Sequence, residues 1–297
     1  MQEVTFLEKN ISLIEKYFEV SDGVQLKCFD FIPQGYHSLN MPVIIFIAGW
    51  ISRVQGWEDV LKVISRKYRI LYLETREKKS ARLPSAPKNI DFSIERMSMD
   101  VDEILTRTLS DSQPFYFLGS SLGSTIILHY LSKNRKQAED SFLISPICEF
   151  PFPAWLLFAI RFFPAWLYTV IKPVIKWYLI YFYLDRHQEP EQVRKYQGTI
   201  DAAEPARLKA NAYAIKDYSL WDKLTTVSSP VTLIGAETDK LHGIDTLKEM
   251  ITRLPKARLE MMKSNKETHS EKAGRFVVEQ IAGVKAIVSD TKGRQRI

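Results

Sequence analysis

Two glycines flank a pair of serines in residues 117–125, FLGSSLGST, and this spacing suits nucleophilic catalysis. In the frame G-x-S-x-G, Gly119 and Gly123 stand two positions on either side of Ser121, so Ser121 rather than Ser120 is the candidate nucleophile. A serine in a sharp, strained turn leaves no room for Cβ atoms at the flanking positions, which is the steric reason for glycine. Glycine and serine also form ordinary turns, and the motif alone leaves both interpretations open.

A serine hydroxyl is a weak nucleophile at neutral pH, so it needs a histidine base and an acid that orients the base. Asp239 follows the apolar run PVTLIGA by three residues, with Glu237 as a nearby alternative. His269 lies in a polar loop after ARLEMMK, while His242 is a competitor that follows the acid closely. Alternatively, His269 is a solvated loop residue without a catalytic role. The chain order Ser121, Asp239, His269 favours the catalytic interpretation.

The hydrophobic pattern predicts the elements that must position these residues. An antiparallel hairpin is predicted from KYFEV, the turn pair DG and VQLKCFDFI. Six further strand-like runs follow: VIIFIAGW, RILYLET, PFYFLGSS, DSFLISP, PVTLIGA and ARLEMMK. Helical runs such as WEDVLKVISRKY lie between several of them. The alternation predicts an α/β fold with a mostly parallel, doubly wound sheet, in which Ser121 lies where a buried strand turns into a helix.

Composition and charge narrow the class of protein. The 297 residues are 45% hydrophobic and 26% charged, values that are ordinary for a chain with a sizeable core. The net charge of +6 favours an anionic partner such as a membrane surface, nucleic acid or an acidic substrate. Two cysteines, Cys28 and Cys148, and a start without a basic and then apolar leader predict a cytoplasmic protein without disulfides. We expect no metal and no cofactor, because CxxC and HExxH do not occur and the five histidines are scattered.

These motifs resemble those of the α/β-hydrolase superfamily, from the N-terminal hairpin to the helix after His269. In that superfamily the loop after the first parallel strand usually begins His-Gly and supplies an amide to an oxyanion hole. The matching residues here are Ala48, Gly49 and Trp50, so the histidine is replaced. The resemblance implies the backbone N–H groups of Trp50 and Leu122 as the oxyanion donors, which an alanine in the loop need not remove.

A charged loop stands where many members of the superfamily carry a D-x-x-G-x-G turn. It reads LETREKKSARLPSAP and includes Glu74, Arg76, Lys78, Lys79 and Arg82. Because it follows a parallel strand, we expect it on the same sheet edge as the candidate nucleophile. Its charges are expected either to meet an anionic group near the entrance or to be solvated.

Residues 150–184 hold thirteen of the thirty-five aromatic residues and lie where the superfamily inserts its lid. Helical spacing shows no polar face beyond Arg161, Lys172 and Lys176, so these helices must be buried in lipid, against another subunit or over a pocket. The runs between charges are shorter than the roughly 20 apolar residues that span a bilayer. An interfacial lid beside anionic lipid fits better than a re-entrant hairpin.

The alternative for this segment is a packed helical cap without membrane contact. Nucleic acid is disfavoured as a partner, because the aromatic residues form one apolar block rather than interleaving with a basic stripe. We therefore divide the chain into a first core part, 1–146, a lid, 147–222, and a second core part, 223–297.

The resemblance and the residues together predict a serine ester hydrolase that acts on lipid-like or long-acyl esters. His269 is expected to take the proton of Ser121, which attacks the ester carbonyl and forms an acyl-enzyme, while Asp239 orients the imidazole. A thioesterase or acyltransferase with the same triad is an alternative. Another alternative is a non-catalytic, membrane-attached binding protein of the same fold. The sequence predicts no oligomeric state.

Overall fold

The structure, a computed structural model, describes residues 4, 6–36, 41–133, 135–152, 154–183, 197–239 and 243–294. An eight-stranded sheet forms its centre. The strands are β1 (Ile11–Glu19), β2 (Gln25–Pro33), β3 (Val43–Ile47), β4 (Arg69–Leu73), β5 (Phe115–Ser120), β6 (Ser141–Ile144), β7 (Val231–Ala236) and β8 (Ala257–Met262). Their order is β1-β2-β4-β3-β5-β6-β7-β8. The β1 and β2 strands pair antiparallel with their neighbours, and β3 to β8 are parallel, so the predicted α/β fold class is confirmed.

Helices cover both faces of this sheet. They are α1 (Glu58–Ser65), α2 (Ile94–Thr108), α3 (Leu122–Ser132), α4 (Ala154–Phe162), α5 (Leu167–Tyr183), α6 (Pro205–Ile215), α7 (Ile244–Arg253), α8 (Asn265–Thr268) and α9 (Glu271–Arg294). Alternate side chains of β3 enter two cores. Val43, Ile45 and Ile47 join the core that contains α2 and α3, whereas Ile44 and Phe46 join the core that contains α1 and α9. The nearly continuous apolar runs of the sequence are explained by this burial on both faces.

The helices α4, α5 and α6 lie between β6 and β7, in the segment where the sequence predicts a lid. The α6 helix packs on α4, and the Lys209 ammonium donates a hydrogen bond to the carbonyl of Phe163 at 2.7 Å. Among the helices that the structure describes, none combines the length and the hydropathy that crossing a bilayer requires. The boundaries proposed for the lid, 147–222, stay a prediction.

In the part of α5 whose side chains are described, polar groups bind the segment at 200–201 and several apolar side chains are exposed. Tyr168 donates a hydrogen bond to the carbonyl of Ile200 at 3.1 Å, and the Lys176 ammonium lies 2.6 Å from the Asp201 carboxylate. Lys172, one turn from both, donates to the carbonyl of Asp201. Large apolar side chains on α4, α5 and their connecting turn are exposed: Phe158, Phe162, Phe163, Trp166, Val170, Val174 and Trp177.

The charged loop after β4 is largely buried, which corrects the expectation that its charges meet a ligand or solvent. Glu74, Arg76 and Lys78 are buried, and only Lys79 and Arg82 of the five charged residues singled out in this loop are exposed. The expectation failed because a run of charges shows the composition of a loop but not the partners that the tertiary fold supplies.

Arg76 shows what these partners are. Its guanidinium is fully buried and donates two hydrogen bonds to the Asp100 carboxylate, at 2.7 and 2.6 Å. It also donates to the Asp22 carboxylate at 2.8 Å and to the Asp91 carbonyl at 2.6 Å. Such a paired and bidentate geometry is what makes a buried arginine tolerable. Arg76 therefore ties the loop after β4 to α2 and to the N-terminal hairpin.

Candidate active site

Ser121 occupies the sharp turn between β5 and α3. Its φ is +47° and its ψ is −116°, a conformation that residues other than glycine seldom adopt. A Cβ atom on Gly123 would lie 1.9 Å from the carbonyl oxygen of Ile47, and one on Gly119 would lie 2.7 Å from the side chain of Ile127. Glycine at both positions therefore lets α3 pack closely on β3 and β5, which is the steric reason that the G-x-S-x-G spacing suggested.

The first turn of α3 begins directly after Ser121. The Thr125 N–H donates to the Ser121 carbonyl at 3.1 Å, which is the first hydrogen bond of the helix. The N–H groups of Leu122, Gly123 and Ser124 precede this bond and have no acceptor within the helix. Since a helix N-terminus carries a partial positive charge, this geometry favours a negative charge that develops next to Ser121.

The loop after β3 passes beside the same turn. A Cβ atom on Gly49 would lie 3.4 Å from the Cβ of Ser121, so glycine allows the two loops to touch. The Ser52 N–H donates to the Gly49 carbonyl at 3.0 Å and closes a four-residue turn. Ile51, the third residue of this turn, has a φ of +51°, a conformation for which type II turns normally use glycine. The turn thus holds Trp50 next to the candidate nucleophile.

Asp239 lies just beyond the end of β7 and is buried. Its Oδ2 accepts a hydrogen bond from the Ser145 hydroxyl at 2.9 Å. Ser145 directly follows β6 and has a φ of +44°, so it is another strained residue at a strand end. Glu237, the alternative acid, is exposed. The sequence interpretation missed Ser145, although its place at the end of the run SFLISP marks it, because the carboxyl ends of parallel strands meet at one sheet edge.

His269 follows β8 at the end of the short helix α8. A reciprocal cap begins this helix, since the Ser264 hydroxyl accepts from the Glu267 N–H and the Glu267 carboxylate accepts from the Lys263 N–H. The His269 ring also stacks on Trp57, with centroids 4.2 Å apart and planes inclined by 29°. Because Trp57 is buried, this contact fixes the imidazole relative to the sheet.

The hydrogen bonds of His269 assign its tautomer. Its Nδ1 lies 3.0 Å from the carbonyl oxygen of Asn265 and 2.9 Å from the hydroxyl of Thr268. A carbonyl oxygen can only accept, so Nδ1 carries the proton and Nε2 keeps its lone pair. The imidazole is therefore in the state in which Nε2 can accept a proton.

The structure places Ser121, Asp239 and His269 after β5, β7 and β8, at the carboxyl edge of the parallel sheet, as the sequence predicted. Ser145 occupies the same edge after β6. His242, the competing base, lies outside the described residues. Within the part of the chain that the structure describes, no three His, Cys, Asp or Glu side chains gather in a way that could hold a metal ion.

Comparisons with known proteins agree with this fold. A family model described as the alpha/beta hydrolase fold matches residues 42–273. An esterase from Exiguobacterium antarcticum is 17% identical, with a TM-score of 0.69 and coverage of 92% of this chain and 100% of that one. An enol-lactonase from Burkholderia xenovorans is 16% identical, with a TM-score of 0.69 and coverage of 92% and 98%. A membrane phospholipase A, a bacterial virulence factor, is 17% identical, with a TM-score of 0.68 and coverage of 92% and 87%.

No curated protein sequence matches this chain significantly. At identities below a fifth, the solved structures share the fold, and the substrates in their names belong to those proteins. The family model, in contrast, covers most of the sequence, including all six parallel strands. On this ground the chain belongs to the α/β-hydrolase family of enzymes.

Proposed function

We propose that the protein hydrolyses carboxylic esters through an acyl-enzyme formed on Ser121. The observation that carries this proposal is the strained Ser121 turn, which places a hydroxyl directly before the N-terminus of α3. The buried Asp239 and the Nδ1-protonated His269 at the same sheet edge support it. A turn without function would have no need for a serine at a φ of +47°, because glycine adopts this conformation without strain.

In the proposed mechanism, Nε2 of His269 takes the proton of Ser121 while the serine oxygen bonds to the ester carbonyl carbon. The tetrahedral oxyanion is stabilised by the backbone N–H groups of Leu122 and Trp50. The bond to the alcohol then breaks, and His269 donates the proton to the leaving alcohol. Water attacks the acyl-enzyme with the same histidine as base and releases the acid. Asp239 stabilises the imidazolium that forms in both steps.

Long-acyl or lipid-like esters are the proposed substrates. The indole of Trp50 packs edge to face on Phe152, with centroids 5.8 Å apart, and Phe152 stacks on Phe150. These aromatic contacts join the loop that carries the proposed oxyanion donor to the start of the lid. Beyond α5, Gly198 lies against the side chain of Arg53, so the lid also meets this loop from its other end. Aromatic side chains beside the proposed oxyanion donor support an apolar acyl chain rather than a small polar ester as substrate.

We also propose that the exposed apolar side chains of α4 and α5 rest on an anionic membrane surface. The protein would then be a peripheral membrane protein, which we place in the cytoplasm. The side chain of Trp166 is 65% exposed, and that of Trp177 is 54% exposed. Large apolar side chains gathered on one exposed face are unusual for a protein that meets only water. Arg161, exposed and beside the ring of Phe162, and the net charge of +6 favour anionic lipid.

Fluorophosphonate labelling tests the catalytic proposal, because the probe reacts with activated serines. We expect the wild type to be labelled and Ser121→Ala to lose labelling and to lower kcat for p-nitrophenyl esters by roughly a thousandfold or more. Ser120→Ala is the matched control, since Ser120 is a buried β5 residue one position away, and it should still be labelled. An unlabelled wild type would contradict the proposal.

The chain length of the ester tests the substrate class with the same protein. Long p-nitrophenyl esters should have a higher kcat/KM than the acetate, because the aromatic side chains near Trp50 bind only the longer chains. If the acetate were turned over fastest, the proposal of a lipid-like substrate would be contradicted. Faster turnover of the matching acyl thioesters would assign thioester hydrolysis with the same residues.

A further inference from the structure

A buried tryptophan lies between the proposed base and the sheet. Trp57 ends the short 3₁₀ helix Val54–Trp57, directly before α1, and its side chain is 1% exposed. Its ring packs edge to face on Phe46 of the central strand β3, with centroids 4.9 Å apart. The His269 ring stacks on the same indole, with centroids 4.2 Å apart. Trp57 therefore connects the imidazole to the rigid centre of the sheet.

The indole N–H of Trp57 binds the turn that carries Trp50. It donates a hydrogen bond to the hydroxyl oxygen of Ser52 at 3.0 Å. Ser52 closes this turn, because its own N–H donates to the Gly49 carbonyl at 3.0 Å. We call residues 49–52 the oxyanion turn. A single side chain thus contacts both the proposed base and the turn with a proposed oxyanion donor.

The oxyanion turn holds an unfavourable backbone conformation. Ile51 has a φ of +51°, and a β-branched residue in that region is a clear outlier. Such a conformation persists only where the surrounding contacts hold it. The hydrogen bond from Trp57 to Ser52 supplies one of these contacts, and it comes from a side chain that burial keeps immobile.

The indole N–H and its acceptor depend on each other. A buried tryptophan N–H needs a hydrogen-bond partner, and Ser52 supplies it here. The ring cannot shift away from Ser52 without losing this bond, and it cannot turn without losing its packing on Phe46. A side chain fixed in this way can orient the groups that it touches, which a mobile side chain cannot.

We propose that Trp57 is a positioning residue that fixes the proposed base and the oxyanion turn relative to each other, with its ring against His269 and its indole N–H on Ser52. This inference rests on the proposed function. Trp57 does not touch the substrate in this arrangement. It acts on the reaction of Ser121 only through the imidazole and through the turn that carries the Trp50 N–H.

A double-mutant cycle of Trp57→Phe and Ser52→Ala tests the hydrogen bond, with kcat, KM and the rate of fluorophosphonate labelling as readouts. We expect Ser52→Ala alone to lower kcat and the labelling rate about fivefold or more, since a misplaced oxyanion donor weakens transition-state binding. KM should change less than about twofold. Ser52→Thr keeps the hydroxyl and should keep the kcat of the wild type.

The second half of the cycle separates positioning from packing. Trp57→Phe keeps an aromatic ring toward His269 but has no N–H. In this background Ser52→Ala should cause no further loss of kcat, because the bond that it would break is already absent. A role of Ser52 that does not involve Trp57 predicts the same loss in both backgrounds. Ser52 is only partly buried, so this comparison also serves if a more disruptive variant of Trp57 does not fold.

Trp57→Leu tests the contact with His269, because leucine has neither the N–H nor the ring. Its kcat and labelling rate should fall at least about tenfold below those of Trp57→Phe, since the base would be held less accurately beside Ser121. Phe115→Leu is the control. Phe115 is a buried aromatic residue at the start of β5, whereas Ser121 follows the end of this strand, and kcat of the folded control should be unchanged.

Three results overturn the inference. The first is a kcat of Ser52→Ala equal to that of the wild type. The second is an equal loss of kcat from Ser52→Ala in the wild type and in Trp57→Phe. The third is a folded Trp57→Leu variant as active as Trp57→Phe. An unlabelled wild type would instead contradict the proposed function itself, so the two failures are distinguishable.

Discussion

Ser145, which the sequence interpretation missed, contacts the proposed acid. Its hydroxyl donates to Asp239 at 2.9 Å, and both side chains are buried. A hydrogen bond from a neutral donor to a buried carboxylate contributes about 1.5–3 kcal/mol. We expect Ser145→Ala to lower kcat about tenfold with little change in KM, because the carboxylate of Asp239, the proposed acid, would be held less firmly. Steady-state kinetics on a p-nitrophenyl ester measures this effect.

Ser141→Ala is the matched control for this residue. Ser141 is the first residue of β6, whereas Ser145 follows the last one. Ser141 is buried, and its hydroxyl has no hydrogen-bond partner among the described residues. Removal of its oxygen should leave kcat unchanged. Equal kcat values for Ser145→Ala and Ser141→Ala would show that the contact with Asp239 has no catalytic role.

At the scale of the element, the lid helices expose large apolar side chains that a cap in contact only with water would bury. The α5 helix uses Tyr168 and Lys176 to bind the segment at 200–201, and its apolar residues Val170, Val174 and Trp177 are exposed. We expect the protein to float with vesicles that contain phosphatidylglycerol. The double variant Phe162→Ser with Trp166→Ser should weaken this binding roughly tenfold or more, because each large apolar side chain transferred from water contributes about 1.5–3 kcal/mol.

The control for the lid removes two exposed apolar side chains elsewhere. Ile14 on β1 and Met99 on α2 are 47% and 43% exposed and lie outside the lid. The double variant Ile14→Ser with Met99→Ser should float like the wild type. Flotation that is absent for the wild type, or lost equally in both double variants, would contradict the membrane proposal.

At the scale of the whole molecule, a buried histidine makes stability depend on pH. His129 of α3 is 2% exposed, and burial lowers its pKa from 6.5 to about 4. The unfolded chain therefore binds this proton more readily than the folded one, so the free energy of unfolding falls as the pH drops from about 6.5 to about 4. The loss from this one group is on the order of 3 kcal/mol. We expect the free energy of unfolding of His129→Gln, measured by urea denaturation, to fall less steeply over this pH range.

Tyr218→Phe is the control for this prediction. The Tyr218 hydroxyl lies 2.7 Å from Nδ1 of His129, so the variant loses a hydrogen bond but keeps the buried imidazole. It should be less stable at every pH yet retain the slope, because burial is the main cause of the lowered pKa. The same slope in His129→Gln as in the wild type would show that other groups set the acid sensitivity.

The sequence by itself determined which segments form strands and that most of them pair in parallel. Apolar runs buried on both faces differ from helical spacing within a few residues, so each strand carries its own signal. The glycine spacing around Ser121 is equally local, because the clash that excludes a Cβ at Gly123 arises wherever a strand turns so sharply into a helix. The positions of Asp239 and His269 after β7 and β8 could be predicted for the same reason, because a strand's own sequence shows where it ends.

Only the tertiary structure decided which groups meet at these strand ends. Ser145 and Asp239 are 94 positions apart, and Arg76 and Asp100 are 24 apart, so neither contact leaves a pattern in the local sequence. A run of charges looks the same whether it is solvated or paired, and for this reason the burial of Arg76 and Glu77 was not predicted. The outward apolar face of α5 was decided in the same way, by the partners that α5 finds at 200–201.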